Sequence, residues 1–210
     1  MKETAVEEIM TTRVVAVREE ATFKEMVAAL RSSRVSAFPV LDGIDRVIGV
    51  VSEADLLAKE AGPALGRRAW RPKERAKATG VIAAELMTTP AITVAGDASV
   101  AEAAALMRSR RVKRLPVVDR NGRLRGIVSR ADLLAVFERP DCEICDEAVK
   151  AVVEGEFGLD PEMFVVTVRS GVITVTGSVD KRADALGLLN AIRHLEGVVA
   201  VRDRLSYPAA

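Results

Sequence analysis

The chain of 210 residues has room for two domains, or for three small ones. A formal net charge of +1 argues against a chain-wide footprint for nucleic acid or anionic membrane. Apolar residues make up 49%, enough for real cores, but only 3% are aromatic, so those cores must be built from Val, Leu, Ile and Ala. The first ten residues, MKETAVEEIM, contain no basic segment leading into an apolar run. No stretch approaches the ~18 apolar residues of a membrane span. These features predict a soluble cytoplasmic protein.

A duplication organises the first two thirds. Met10 and Met87 stand 77 positions apart, as do Asp55 and Asp132, and at that one offset residues 9–58 lie over 86–135 without a gap. Roughly half of the superposed positions are identical. Each copy begins with a β-branched run, VVAV at 14–17 and AITV at 91–94, read as a strand. Helices are predicted over 22–34 and 99–111, with Thr22 and Ser99 as N-caps and Glu25 and Glu102 completing capping boxes. The short strands FPVLD and LPVVD follow, then a turn, then VIGVVS or LRGIVS running into a helix at EADLL or RADLL. Each unit therefore reads βαββα, with Ser52 and Asp55, and again Ser129 and Asp132, at the last strand-to-helix turn.

The expected organisation is repeat 1 over 1–60, a linker over 61–80, repeat 2 over 81–139 and a third domain over 141–207. The stretch 59–80 is rich in Gly, Pro and charge and holds seven basic residues against Glu60 and Glu74, with Trp70 as its one aromatic. It reads either as a solvated linker or as a docking strip for an acidic partner. Beyond Pro140, residues 142–157 have helical spacing. Residues 164–179 alternate around the turn signal Ser170-Gly171, a helix spans 181–197 and a last strand 198–207. The order is αββαβ.

The repeats resemble cystathionine-β-synthase (CBS) domains, which come in tandem pairs called Bateman modules. MTTRVVAV and MTTPAITV, RVSAFPVLD and RVKRLPVVD, and the two Gly-x-x-Ser-x-x-Asp endings carry the likeness, over about residues 5–138. The tail, through VTVRSGVITVTGSV and LEGVVAVRDRL, resembles a BON domain over about 144–207. The fold class implied is α/β and α+β: two βαββα CBS repeats packed as a pseudo-symmetric pair, followed by a small αββαβ BON domain.

The resemblance implies that Asp55 and Asp132 hold ribose hydroxyls of adenosine-type ligands, with Ser52 and Ser129 beside the ribose or phosphates. The chemistry is sound, because a carboxylate accepts from two vicinal hydroxyls at once. Helix capping by the same residues is the alternative. Lys113 and Arg114 in the second copy replace Ser36 and Ala37 of the first, and resemble a phosphate-contacting basic pair of kinase-regulating members. The Asp132 cleft is therefore expected to be the better phosphate site, and the Asp55 cleft to be weak, empty or suited to a nucleoside. Val35, Ser36 and Ala37 resemble an adenine-lining segment. Val15, Val50, Ile92 and Ile127 are candidate apolar walls, and Thr11 and Thr88 candidate polar contacts.

No nucleophile–base pair, phosphate-binding glycine loop or carboxylate pair with an acid–base role is visible, so no enzymatic activity is expected. Cys142 and Cys145 form a single C-x-x-C at a predicted helix start, where the helix dipole lowers a thiol pKa. They read as incidental thiols, with redox sensing or half of a shared metal site as the other reading. The functional expectation is a regulatory sensor that requires no cofactor and binds AMP, ADP, ATP or S-adenosylmethionine. It would be a homodimer that relays its state to an unidentified protein partner through the BON domain or linker, without nucleic-acid binding. The alternatives are a ligand-free dimerisation scaffold, or a surface- or phospholipid-associated protein acting through the BON domain. Membrane attachment is disfavoured by the ten acidic against seven basic residues between Asp146 and Tyr207.

Overall fold

Residues 4–58 and 79–207 are described by the structure, a computed structural model. The linker segment 59–78, with Trp70 and its basic residues, lies outside them. Contacts divide the chain into two units, Thr4–Leu133 and Leu134 onward.

The first unit contains α1 (Val6–Ile9), β1 (Val17–Arg18), α2 (Phe23–Ser33), β2 (Ala37–Leu41), β3 (Val47–Ser52) and α3, helical over residues 53–58. The second copy supplies α4 (Ala83–Leu86), β4 (Val94–Ala95), α5 (Val100–Arg110), β5 (Arg114–Val118), β6 (Leu124–Ser129) and α6 (Arg130–Leu134). Each copy forms a three-stranded sheet, parallel between its first two strands and antiparallel between the last two. Thr22 and Ser99 each accept from the backbone N–H three residues on, and Glu25 and Glu102 return the bond, so both capping boxes form. Arg34 and Arg111 end α2 and α5 in the left-handed region, at φ 53° and 56°. The first strands begin only at Val17 and Val94, later than the β-branched runs suggest. Further upstream, Thr11 and Thr88 pair with strands of the other copy.

That crossing exchanges the first helices of the two copies. Val6 of α1 is buried with Ala103, Met107 and Leu115 of the second copy. Its N–H donates to Ala98 O at 2.9 Å, and Glu7 N–H to Gly96 O at 2.9 Å. Reciprocally, Ala83 and Leu86 of α4 complete the core of Met26, Phe38, Val40 and Val51 in the first copy. Ala83 N–H donates to Ala21 O, and Ala84 N–H to Glu19 O, both at 2.9 Å. Deleting the Leu86 side chain would cost about 2–5 kcal/mol, against about 1 kcal/mol for one hydrogen bond, so burial is what holds the exchanged helix.

The threonines that follow each exchanged helix finish the graft. Thr88 bridges Val50 through two backbone bonds of 2.8 and 3.1 Å, and Thr11 bridges Ile127 through two of 2.9 Å. Met87 lies on Gly49 and Met10 on Gly126, so close that a Cβ on either glycine would collide with the methionine side chain. The methionine of the opening motif and the glycine of the closing motif are therefore one contact, made between copies.

The second unit packs α7 (Asp141–Glu147), continued by a π-helical segment (Ala148–Glu156), and α8 (Arg182–Arg193) on one face of a sheet of β7 (Phe164–Arg169), β8 (Val172–Ser178) and β9 (Ala200–Ser206). The wider winding of the π segment accompanies full burial of the adjacent Val152 and Val153. Ser170 and Gly171, at φ 51° and 73°, turn the β7–β8 hairpin, and their N–H groups donate to the Asp141 carboxylate at 2.7 and 2.8 Å. Strands β8 and β9 are parallel, with α8 as the crossover. His194 caps α8, its Nδ1 lying 2.7 Å from Asn190 O.

Two measurements follow from this packing. Gly49→Ala should destabilise the fold by about 1–3 kcal/mol in urea denaturation. Made in a Met87→Ala background, it should cost clearly less, and additive costs would refute the contact as the cause. The turn carboxylates of Asp42 and Asp119 lie below the ordinary carboxylate range, chiefly because the Arg46 and Arg123 N–H groups donate to them. A lowered folded pKa contributes stability above the unfolded pKa that is lost as pH falls through the folded one. Stability should therefore drop below about pH 4, with a shallower slope in Asp42→Asn and Asp119→Asn.

Candidate functional site

Strand β3 ends at Ser52, which becomes the N-cap of α3, and Asp55 is the third residue of that helix. The Ser52 N–H and Oγ–H both donate to Asp55 Oδ2, at 2.8 and 2.7 Å. Thr88 Oγ–H points to the other oxygen, Oδ1, at 3.4 Å. The second copy repeats the turn: Ser129 N–H donates to Asp132 Oδ2 at 2.7 Å, and Asp132 N–H to Ser129 Oγ at 3.4 Å. Capping and ligand binding are thus compatible uses of one carboxylate, since the cap occupies Oδ2 and fixes where Oδ1 points.

Beside Asp55 lies a cleft of about 460 Å³. The first copy gives it Ser36, Ala37, Val50 and the turn from Ser52 to Asp55. The second copy gives Thr88, Pro90, Ala91 and Ile92 from the chain leaving α4, and Arg111 to Arg114 from the α5–β5 junction. The exchange of helices is what brings these together, because Thr88 is tied to Val50 and the following residues run on past the turn. Three cations, Arg111, Lys113 and Arg114, line it together with two carboxylates, Glu53 and Asp55, and the apolar Val50, Ile92 and Val112.

The sequence assigned Lys113 and Arg114 to the Asp132 cleft, whereas the structure lines the Asp55 cleft with both. The backbone of Arg114 is paired with Ser129 in its own sheet, yet its Nη1 donates to Ser36 Oγ of the first copy at 2.5 Å. A long side chain rooted in one copy reaches the other. Of the remaining candidates, Ser36, Ala37, Val50, Ser52, Asp55, Thr88 and Ile92 meet in this cleft. Val35 packs on the first core instead. Thr11, Val15, Ile127, Ser129 and Asp132 do not line it; they are the 77-residue counterparts of Thr88, Ile92, Val50, Ser52 and Asp55. Glu53 and Arg111 were not anticipated. Both adjoin motif residues, but nothing in their spacing distinguished them from solvated charges.

Cys145 takes another course from the low-pKa thiol a helix start would favour. Cys142 is exposed, and Cys145 is partly buried with its thiol donating to Val166 O at 3.4 Å. Burial pushes the Cys145 thiol up, and Asp146 and Cys142 add to this, which opposes a reactive thiolate. Among the described residues no group of three or more His, Cys, Asp or Glu is placed to hold a metal ion. Among the same residues no helix is long and apolar enough to cross a membrane.

The sequence model of the CBS domain matches residues 6–62 and 83–139, more than half of the chain. This chain belongs to the CBS-domain family and carries a tandem pair. An uncharacterized protein of Methanocaldococcus jannaschii is 34% identical over 165 residues, covering 77% of this chain and 37% of that protein. The CBS domain-containing protein CBSX1 of Arabidopsis thaliana, chloroplastic, is 30% identical over 133 residues, 56% of each chain. The chain thus spans about half or less of the length of these two relatives. Among solved structures, CBSX2 of Arabidopsis thaliana in complex with AMP is 29% identical, with a TM-score of 0.56 over 62% of this chain and 94% of that one.

The cap makes its own prediction, independent of any ligand. Asp132→Ala should lower stability by about 0.5–2 kcal/mol by orphaning the Ser129 N–H, and Asp132→Asn should recover most of that. Equal losses in the two variants, measured by urea denaturation without ligand, would show that the carboxylate does not cap.

Proposed function

We propose that the chain is a non-enzymatic regulatory protein whose Asp55 cleft binds an adenine nucleotide. The observation that carries this is the meeting, in one cleft, of a pre-oriented carboxylate, an apolar wall and three cations. Asp55 Oδ1 and the Thr88 hydroxyl suit the ribose hydroxyls, Val50 and Ile92 a flat base, and Arg111, Lys113 and Arg114 the phosphate. The complex of CBSX2 with AMP supports the ligand class. The cations favour AMP, ADP or ATP over S-adenosylmethionine, which lacks phosphate and carries a sulfonium charge.

The relay in this reading runs through the third unit, whose sequence resembles a BON domain, or through the linker, to a protein partner. Leu57 and Leu134 occupy the same position in the two copies and are 63% and 62% exposed, which suits their burial in a homodimer. Those two leucines also favour the second reading, a scaffold that dimerises and binds no nucleotide.

Calorimetric titration separates the two. AMP should bind the wild type, and Asp55→Ala and Arg114→Ala should each weaken it at least about tenfold, a loss of roughly 1.4 kcal/mol. Asp132→Ala should keep this binding. If AMP, ADP and ATP give no heat at millimolar concentration, the nucleotide reading fails and the scaffold stands.

A further inference from the structure

The third unit has a face that neither its core nor the nucleotide reading uses. The helices cover the side of the sheet carrying Phe164, Ile173 and Val175. The strand register places the opposite side in rows: Arg169, Val172 and Ala200; then Thr167, Thr174 and Arg202; then Val165, Thr176 and Arg204. Arg169, Arg202 and Arg204 are all exposed, and among the described residues none has an ion-pair partner. No carboxylate stands in these rows, although acidic residues outnumber basic ones between Asp146 and Tyr207. The acidic side chains stand off these rows: exposed Glu143, Asp146, Glu154 and Glu156 lie on the helical segment together with Lys150, Asp203 falls on the other side of the register, and the only charges in the rows are the three arginines.

Like charges two residues apart on one face of a strand, as Arg202 and Arg204 are, repel each other about 6.7 Å apart along the backbone. An anionic occupant turns that repulsion into attraction. We infer that this face is a docking surface for an acidic protein segment. Guanidinium groups take carboxylates two-pronged, threonine hydroxyls fill in between, and Val165, 62% exposed, offers an apolar contact of the kind found inside protein interfaces. An extended segment with carboxylates at alternate positions repeats at the Arg202–Arg204 spacing. Nucleic acid fits less well, because no aromatic side chain stands in the rows to stack on bases. A lipid surface fits less well too, since the rows carry no aromatic or long aliphatic side chain to insert.

The inference does not depend on nucleotide binding. The test is an NMR titration of the full ¹⁵N-labelled chain with a synthetic peptide of alternating Glu and Thr at low salt. Amide shifts should concentrate on β7, β8 and β9 and shrink in high salt. Arg202→Glu with Arg204→Glu should raise the dissociation constant at least about tenfold, while Arg182→Glu on α8 should leave it unchanged. Circular dichroism confirms that each variant is folded, and Arg202→Gln with Arg204→Gln replaces the reversal if it is not. Absence of shifts on these strands overturns the inference. So does tighter binding at the same amides by oligothymidylate or by phosphatidylglycerol vesicles, which would assign the face to phosphate groups.

Discussion

The exchange of α1 and α4 between the copies is the constraint from which the rest follows. Neither sheet has a complete core without the helix from the other copy: Leu86 closes one and Val6 the other. The two-bond bridges at Thr11 and Thr88 then fix the register of the crossing to within one residue, and the methionine–glycine contacts leave no room for a shift. A cleft built from both copies is a by-product of this packing. Separate repeats would place Ser52 and Asp55 on one body and Ile92 on another. Grafting Thr88 onto Val50 delivers the chain from Pro90 to Ile92 to the Asp55 turn as part of the fold itself.

Asp55 and Asp132 show why a structural and a functional account need not compete. Holding a carboxylate for a ligand costs side-chain entropy, of the order of 1 kcal/mol, unless something already holds it. The Ser52 N–H and hydroxyl hold Asp55 by two bonds within the turn, and such preorganisation is what makes a polar contact effective. The serine and aspartate recur three apart because the first turn of a helix brings those two positions within bonding distance. The pair serves the helix in both copies, whatever each cleft binds.

Much of this was legible in the sequence, and what was not has identifiable causes. Capping boxes at Thr22 and Ser99, the Ser170-Gly171 hairpin and the repeat offset are local or periodic signals, and the structure follows them. The late start of β1 and β4 was hidden because β-branched residues also suit extended backbone that leads into a strand. The exchange of helices was invisible: Ala83 and Leu86 signal that they will be buried, but not in which core. The reach of Arg114 to the first copy was invisible for the same reason. A strand pattern assigns its backbone to the Ser129 side, and only the three-dimensional closeness of Ser36 shows where a side chain of that length ends.

Divergence between the copies gains meaning from that closeness. The positions that build the scaffold agree: Met10 with Met87, Gly49 with Gly126, Ser52 with Ser129 and Asp55 with Asp132. Ser36 and Ala37 against Lys113 and Arg114 break the agreement where the copies meet, as the Arg114–Ser36 bond shows. Small residues on one side are what leave space for long ones from the other. Had both copies carried a basic pair, four cations would converge on one junction and repel; had neither, the cleft would keep only Arg111 of its three positive charges. The duplication supplied a symmetric frame, and substitution at its meeting point directed the charge to one side of it.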